Sequence, residues 1–326
     1  MKMHRFVAGV MSLCVVLPSI SGAAALHFPT KPLRWIVPYP AGGPTDLIAR
    51  IVGQKTAGIW GQQIVVDSRP GANSIIGTDI AAHAQPDGYT MLLALPAFTI
   101  NPSVYRKLPY DAERNFIPVT LLASASYLLV VNPKLQVKSV QELVSMAKAH
   151  PGKLTFGSGG IASPAHLAME LLIQRAGIRM VHVPYKGGAP ALVDLMSGQI
   201  QALINPALSA LPFVKTGKLR VIAVTGDKRS GLLPNVPTVA ESGLPGYDVG
   251  TWYGLFAPGG TPKEIVQLTY QTVRQALQDE QVRKQLDKFD ANPVGSSPVD
   301  FSKYVHEEMT RWRQIVKAAN IDMVGR

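Results

Sequence analysis

Apolar and polar positions follow one repeating design along this chain. A short apolar run, Leu33–Val37, meets a glycine turn, Pro38-Tyr39-Pro40-Ala41-Gly42-Gly43. Leu47, Ile48, Ile51 and Val52 then recur at helical spacing, which predicts a strand over 33–37 and a helix over 45–59. Further strands are expected at 63–67 and 90–95, with a small-residue helix over 75–84 between them. Pro86-Asp87-Gly88 is a turn, and a loop is expected through Pro96, Ala97, Phe98, Asn101 and Pro102. Strands alternating with helices predict an α/β fold with a largely parallel sheet.

The apolar stretch 117–131, with Ser124-Ala125-Ser126 in its middle, is too long for an ordinary strand. It reads as a chain crossing between two lobes. A helix over 139–150 and a strand over 154–156 follow. Gly157-Ser158-Gly159-Gly160-Ile161-Ala162-Ser163-Pro164 then repeats the opening design, with a cap residue and proline at the first helical position. The helix over 165–176 stops at Gly177, a C-cap. Next come a strand over 180–185, another glycine turn and a helix over 191–197. The stretch 183–190 echoes 37–44 residue for residue at several positions. Strands are expected at 200–204 and 219–225, a Pro/Gly-rich connector over 231–247, and an aromatic strand over 250–257 that crosses back. Thr261-Pro262-Lys263-Glu264 reads as a capping box opening a helix to about 278, and Ser297-Pro298-Val299-Asp300 opens the last helix in the same style. Two crossings predict two α/β lobes: lobe 1 from 26–124 plus 252–326, and an inserted lobe 2 from 125–251. Closure over a ligand in the cleft is the usual motion of such a plan.

Composition agrees with a folded, exported chain. Hydrophobic residues are 47% and charged residues 16% of 326. Lys2 and Arg5 precede an apolar run over 6–20, and Ala23-Ala24-Ala25 ends it, the plan of a signal peptide cleaved near Ala25. The run is short for a membrane anchor, which needs about 20 residues. Leu13 before Cys14 argues against a lipid attachment site. Cleavage removes Cys14, the single cysteine, so the mature chain has neither disulfide nor thiol nucleophile. It also removes Lys2 and Arg5 from a formal charge of +11, leaving +9. The basic residues are dispersed, without a run of five or an aromatic-interleaved strip, so no nucleic-acid partner is expected.

Enzyme signatures are missing. Phe156 stands where a Gly-x-Ser-x-Gly elbow around Ser158 needs glycine. No Gly-Gly pair leads into a phosphate loop. The histidines at 27, 83, 150, 166, 182 and 306 form no helical ligand pair, so no metal is expected. Gly157 to Ala162 matches a relaxed dinucleotide fingerprint, but 180–185 holds no acidic residue to complete it. What remains is anion chemistry. In the opening loop two glycines allow close backbone approach, Pro44 suits the first helical position, and the free N–H groups of the first turn favour an anion such as a carboxylate. The alternative for this stretch alone is a tight turn without a ligand. Ser158 and Ser163 are candidate hydroxyl donors, Ser163 also being a cap. His166, one turn into its helix, faces either the cleft or the core. So do Trp252 and Tyr253 on the return crossing.

The chain resembles the periplasmic solute-binding proteins of tripartite tricarboxylate transporters, the Bordetella uptake gene family. The resemblance rests on residues 37–46, Arg69-Pro70-Gly71-Ala72, Gln85-Pro86-Asp87-Gly88-Tyr89, 158–167, Val183-Pro184-Tyr185-Lys186-Gly187 and Pro234-Asn235-Val236-Pro237-Thr238, in order along nearly the whole mature chain. It implies a type II periplasmic binding protein fold and no enzyme activity or cofactor. It also implies a monomer that passes a small organic carboxylate to a membrane permease or a sensor protein. The implied carboxylate contacts are backbone N–H groups and waters at Ala41, Gly42, Gly43 and Thr45, with Ser158, Ile161, Ala162 and Ser163; His166 and Tyr253 complete the candidate set. Asn73 stands where glycine is expected, and Phe98 where a polar residue is common. Placed at the distal end of the ligand, Phe98 would favour a less polar or aromatic solute. The alternative reading is a secreted hydrolase-like or nucleotide-binding enzyme using the same cleft.

Overall fold

Strand β1 (Leu33–Val37) is buried except at Arg34, as its four apolar residues require. The computed structural model describes residues 27–318, and the expected signal peptide lies outside them. Helix α1 (Pro44–Trp60) leads to β2 (Ile64–Ser68), and α2 (Ile75–Ala82) to β3 (Thr90–Ala94). Helix α3 (Ala97–Val104) follows directly, and then β4 (Phe116–Val131), a single strand of 16 residues. The chain continues with α4 (Val140–Ala149), β5 (Thr155–Ser158), α5 (Pro164–Ala176), β6 (Val181–Pro184), α6 (Gly188–Ser197), β7 (Ala202–Pro206), α7 (Ala207–Lys215) and β8 (Arg220–Val224). The return is β9 (Gly250–Pro258), followed by α8 (Lys263–Gln278), α9 (Glu280–Asp287), β10 (Ala291–Pro293) and α10 (Pro298–Ala318).

β4 joins two sheets. Its first part, Phe116 to Ser126, pairs with β9, and β10 lies along its other edge. Its last part, Tyr127 to Val131, pairs with β7 and β8. The change of partner falls between Ser126 and Tyr127. Thr225 stitches the return path there: its N–H donates to Tyr127 O at 3.0 Å, and its carbonyl accepts from Val249 N at 2.8 Å. The first sheet runs β2-β1-β3-β9-β4, and the second runs from β4 through β7 and β5 to β6.

Each sheet is covered on both faces. Trp35, Val37, Met91 and Leu255 pack under α1 and α8, while Ile36, Leu92 and Phe256 pack against α3 and α10. In the second sheet Leu129 and Phe156 meet Leu167 and Leu172 of α5, and Leu128 and Val130 meet α6 and α7. Helix α10 serves both lobes. Phe301, Val305 and Met309 lie in the first core, and Trp312, Ile315 and Val316 in the second. Between them, Glu308 accepts the indole N–H of Trp252 at 3.3 Å and that of Trp312 at 2.9 Å.

The structure departs from the sequence expectations at five places. The expected loop around Pro96 to Pro102 is α3, because burial of Ala97, Phe98, Ile100 and Asn101 outweighs Pro102 inside the helix. Helices α7 and α9 and strand β10 carried no expectation, since α7 holds Pro212 and the other two are short. The capping box at Thr261 does not form. Its hydroxyl donates to Pro258 O at 2.8 Å, and α8 starts without a side-chain cap. At Ser297 the cap does form, its Oγ accepting from Asp300 N at 3.1 Å, while the Asp300 carboxylate takes the Ser297 hydroxyl at 2.6 Å rather than the backbone N–H.

Candidate functional site

Strand direction places the site. β1 and β3 are parallel, β3 is antiparallel to β9, and β9 to β4, so β1 and β3 run the same way as β4, toward lobe 2. β7 is antiparallel to β4, and β5 and β6 follow β7, so these run back toward lobe 1. The loops leaving the carboxyl ends of β1, β2 and β3 therefore face those leaving β5, β6 and β7 across the hinge, the position at which open α/β sheets bind ligands.

In the β1 loop, Gly42 has φ 76°, open to glycine at no steric cost. Its N–H donates to Asp46 Oδ2 at 3.0 Å. Asp46 is buried and also receives Arg50 at 2.9 and 3.0 Å and Ser68 Oγ at 3.2 Å. The Arg50 guanidinium, against the cost of burial, holds the Asp46 carboxyl below the usual carboxylate range. Gly43 is the N-cap of α1 with extended backbone, and its N–H reaches Pro40 O at 3.3 Å. The N–H groups of Ala41 and of Thr45, in the first turn of α1, have no acceptor among the described residues. Gly42 and Gly43 thus shape the turn, while Ala41 and Thr45 keep the free donors. The β2 loop holds Ala72, Asn73 and Ser74 at φ 45°, 50° and 72°. Such left-handed residues cost of order 1–3 kcal/mol each unless their surroundings impose them. Asn73 is imposed by a reciprocal pair: its Nδ2 donates to Asn101 Oδ1 at 2.8 Å, and its carbonyl accepts from Asn101 Nδ2 at 2.9 Å.

The β5 loop is knitted internally. Ser158 is fully buried; its Oγ lies 2.7 Å from His182 Nε2, donates to Gly160 O at 2.9 Å and accepts Gly160 N at 3.1 Å. Ala162, buried at φ 58°, donates its N–H to His166 Nδ1 at 3.0 Å. Ser163 caps α5, accepting from His166 N at 3.3 Å, and its own N–H bonds Gly160 O. His166 is buried in a stack with His182, not open to the cleft. Ile161 alone of this set is well exposed, and its N–H has no acceptor among the described residues. Phe98 packs between Phe116 and Phe256 in the lobe 1 core at 1% exposure. The expected preference for an aromatic solute loses its basis there.

Three phenols gather at the hinge: Tyr39 of the β1 loop, Tyr127 of β4 and Tyr253 of β9. Burial raises all three, Tyr127 to about 12, so they stay protonated donors at neutral pH. Ser74 Oγ beside Tyr39 and Thr251 Oγ1 beside Tyr127 are buried without a hydrogen bond of ordinary geometry. Asn205 Nδ2, at the carboxyl end of β7, is likewise buried and unpartnered. Sequence reasoning named Tyr253 and missed Tyr39, Ser74, Tyr127, Asn205 and Thr251. Signals existed: Tyr39 sits between two prolines of the opening loop, and Asn205 interrupts an apolar strand. A cleft of about 490 Å³ lies elsewhere on the hinge, between Tyr304, Glu308 and Arg311 of α10 and the loop 226–230. It contains none of the glycine loops.

The model of the tripartite tricarboxylate transporter family receptor (TctC) matches residues 48–321. The chain belongs to this family. Among its relatives, BugT of Bordetella pertussis is 34% identical over 320 residues, covering 97% of this chain and 98% of that protein. A UPF0065 protein from the tcbD-tcbE intergenic region of Pseudomonas sp. strain P51 is 36% identical, with coverage of 96% and 93%. An R. palustris protein solved with adipate superposes with a TM-score of 0.83 at 35% identity, covering 90% of this chain and 99% of that one. MatC from Rhodopseudomonas palustris, with bound malate, gives 0.78 at 32% identity, with coverage of 89% and 100%. The two-lobed α/β architecture of this TctC-family receptor is that of periplasmic binding proteins, and among its described residues no helix is long and apolar enough to cross a membrane.

Proposed function

We propose that this chain is a periplasmic receptor that closes its lobes over a small organic carboxylate and presents it, unreacted, to a tripartite tricarboxylate-type permease or to a sensor. The observation that carries the reading is the set of unpaired N–H groups, Ala41 and Thr45 on one side and Ile161 on the other, on loops that face each other across the hinge. Backbone donors at helix N-termini suit an anion and need no basic side chain. The buried Ser74, Thr251 and Asn205 groups and the neutral phenols offer further hydrogen bonds to the rest of the solute. Adipate and malate in two structural relatives fit the same chemistry. Lobe 1 is taken as 26–124 plus 252–326 and lobe 2 as 125–251, with export by the segment ending near Ala25. None of the roles assigned here requires a general base or a nucleophile.

The test is a thermal-shift series with adipate, malate, benzoate and ATP. A ligand at 100 times its dissociation constant adds about 2.7 kcal/mol of stability. A shift with a carboxylate, and its recovery unchanged after overnight incubation, is expected. A shift with ATP alone, or consumption of the ligand, would overturn the reading.

A further inference from the structure

Lobe 2 contains a pair of histidines with no counterpart in the lobe 1 loop. His166 of α5 and His182 of β6 stack at 3.7 Å between ring centroids with an interplanar angle of 17°, and Phe156 lies near-parallel to both, 4.9 Å from His182 and 6.1 Å from His166. Their hydrogen bonds fix the ring tautomers. Ala162 N–H donates to His166 Nδ1, so that nitrogen is bare and the ring proton sits on Nε2, 3.5 Å from Glu170 Oε1. Ser158 has one hydroxyl proton, which goes to Gly160 O, so His182 Nε2–H donates into Ser158 Oγ. His166 Nδ1 is therefore unprotonated, and each ring uses one nitrogen to hold the glycine loop: His182 at its start, His166 at its end.

We infer that His166 and His182 are positioning residues of the solute site: a neutral imidazole stack that locks Ala162 in its left-handed conformation and so aims the neighbouring Ile161 N–H. The inference rests on the carboxylate-receptor reading. Ala162 at φ 58° is costly for a residue with a Cβ, and the His166 acceptor is what offsets it. A charge on either ring would face the other at stacking distance. Burial first, and then His166, holds the His182 imidazole down to about 4, which keeps that ring neutral at neutral pH. Glu170 is the carboxylate within reach of the stack, and it faces Nε2 of His166, away from the loop contact.

The test uses the mature chain with adipate as probe. His166→Leu removes the acceptor; His166→Asn replaces it, because the asparagine oxygen can occupy the position of Nδ1. Adipate affinity is expected to fall at least tenfold in His166→Leu and to return to within about threefold of wild type in His166→Asn. Hydrogen exchange at the Ala162 amide, measured without any ligand, is slow in wild type and His166→Asn and fast in His166→Leu. Unchanged affinity in a folded His166→Leu, or an Ala162 amide equally protected in both variants, overturns the inference. If His166→Leu does not fold, wild type against His166→Asn decides: loss of Ala162 protection in His166→Asn overturns it. Failure of wild type to bind any carboxylate, with Ala162 protection following the variants as stated, strikes the receptor reading and leaves the loop geometry intact.

Discussion

Ser230 and Asp290 join two segments 60 residues apart in sequence. Ser230 Oγ, from the loop after β8, donates to Asp290 Oδ1, just before β10, at 2.7 Å, and both residues are buried. Burial raises the Asp290 carboxyl, and the Ser230 hydroxyl partly offsets it. A group raised on folding favours its protonated form. Its contribution is therefore largest at low pH and is lost as pH rises through the folded value.

Ser230→Ala is expected to destabilise the chain by about 1–3 kcal/mol, because a buried carboxylate loses its donor. The loss should be smaller at pH 4 than at pH 7.5. Urea unfolding at the two pH values checks both the size and the order. An equal loss at both would mean that the carboxyl is not the partner that matters.

Gly43→Val is expected to abolish carboxylate binding while changing unfolding free energy by less than about 1 kcal/mol. Gly43 has φ −77°, which any residue adopts, and the new Cβ meets only Pro40 O at 3.2 Å. Gly42→Val should cost stability as well, by about 1–2 kcal/mol, since Gly42 is left-handed although the space around it is open. Calorimetric titration with adipate and urea unfolding on both variants separate the two effects.

Glu308→Ala strips the acceptor from two buried indoles and from Arg311, which donates to Glu308 Oε1 at 3.2 Å. A loss of about 3 kcal/mol or more is expected, with Glu308→Gln losing less because one oxygen remains. Denaturation followed by tryptophan fluorescence reads it directly. An unchanged midpoint would show that α10 does not couple the lobes through this residue.

His182 sets an acid limit. Its imidazole stays neutral to about 4, against an ordinary value of 6.5, so between these values the unfolded chain binds a proton that the folded chain does not. Stability should fall by about 3 kcal/mol as pH drops across that window. His182→Gln is expected to flatten this part of the profile, measured by urea unfolding at pH 7, 5.5 and 4.5.

Local patterning carried much of the fold. Apolar runs marked β1 and β4 to within a residue, Gly177 marked the end of α5, and the Ser297 cap marked the start of α10. These signals survive because they are written within one turn or one strand. α3 and α7 were not legible, because each contains a proline and is held by packing against elements far away in sequence.

By itself the sequence determined the two glycine loops, each between a strand and a helix N-terminus, and with them the expectation of anion chemistry there. Only the tertiary structure decided which donors are free. Gly42, Gly160, Ala162 and Ser163 spend their N–H groups on Asp46, Ser158, His166 and Gly160, leaving Ala41, Thr45 and Ile161. The reason is that a hydrogen bond is settled by angle and distance between groups. His182 meets Ser158 only because β5 and β6 pair in parallel, and Tyr39, Tyr127 and Tyr253 meet only because the chain crosses the hinge twice.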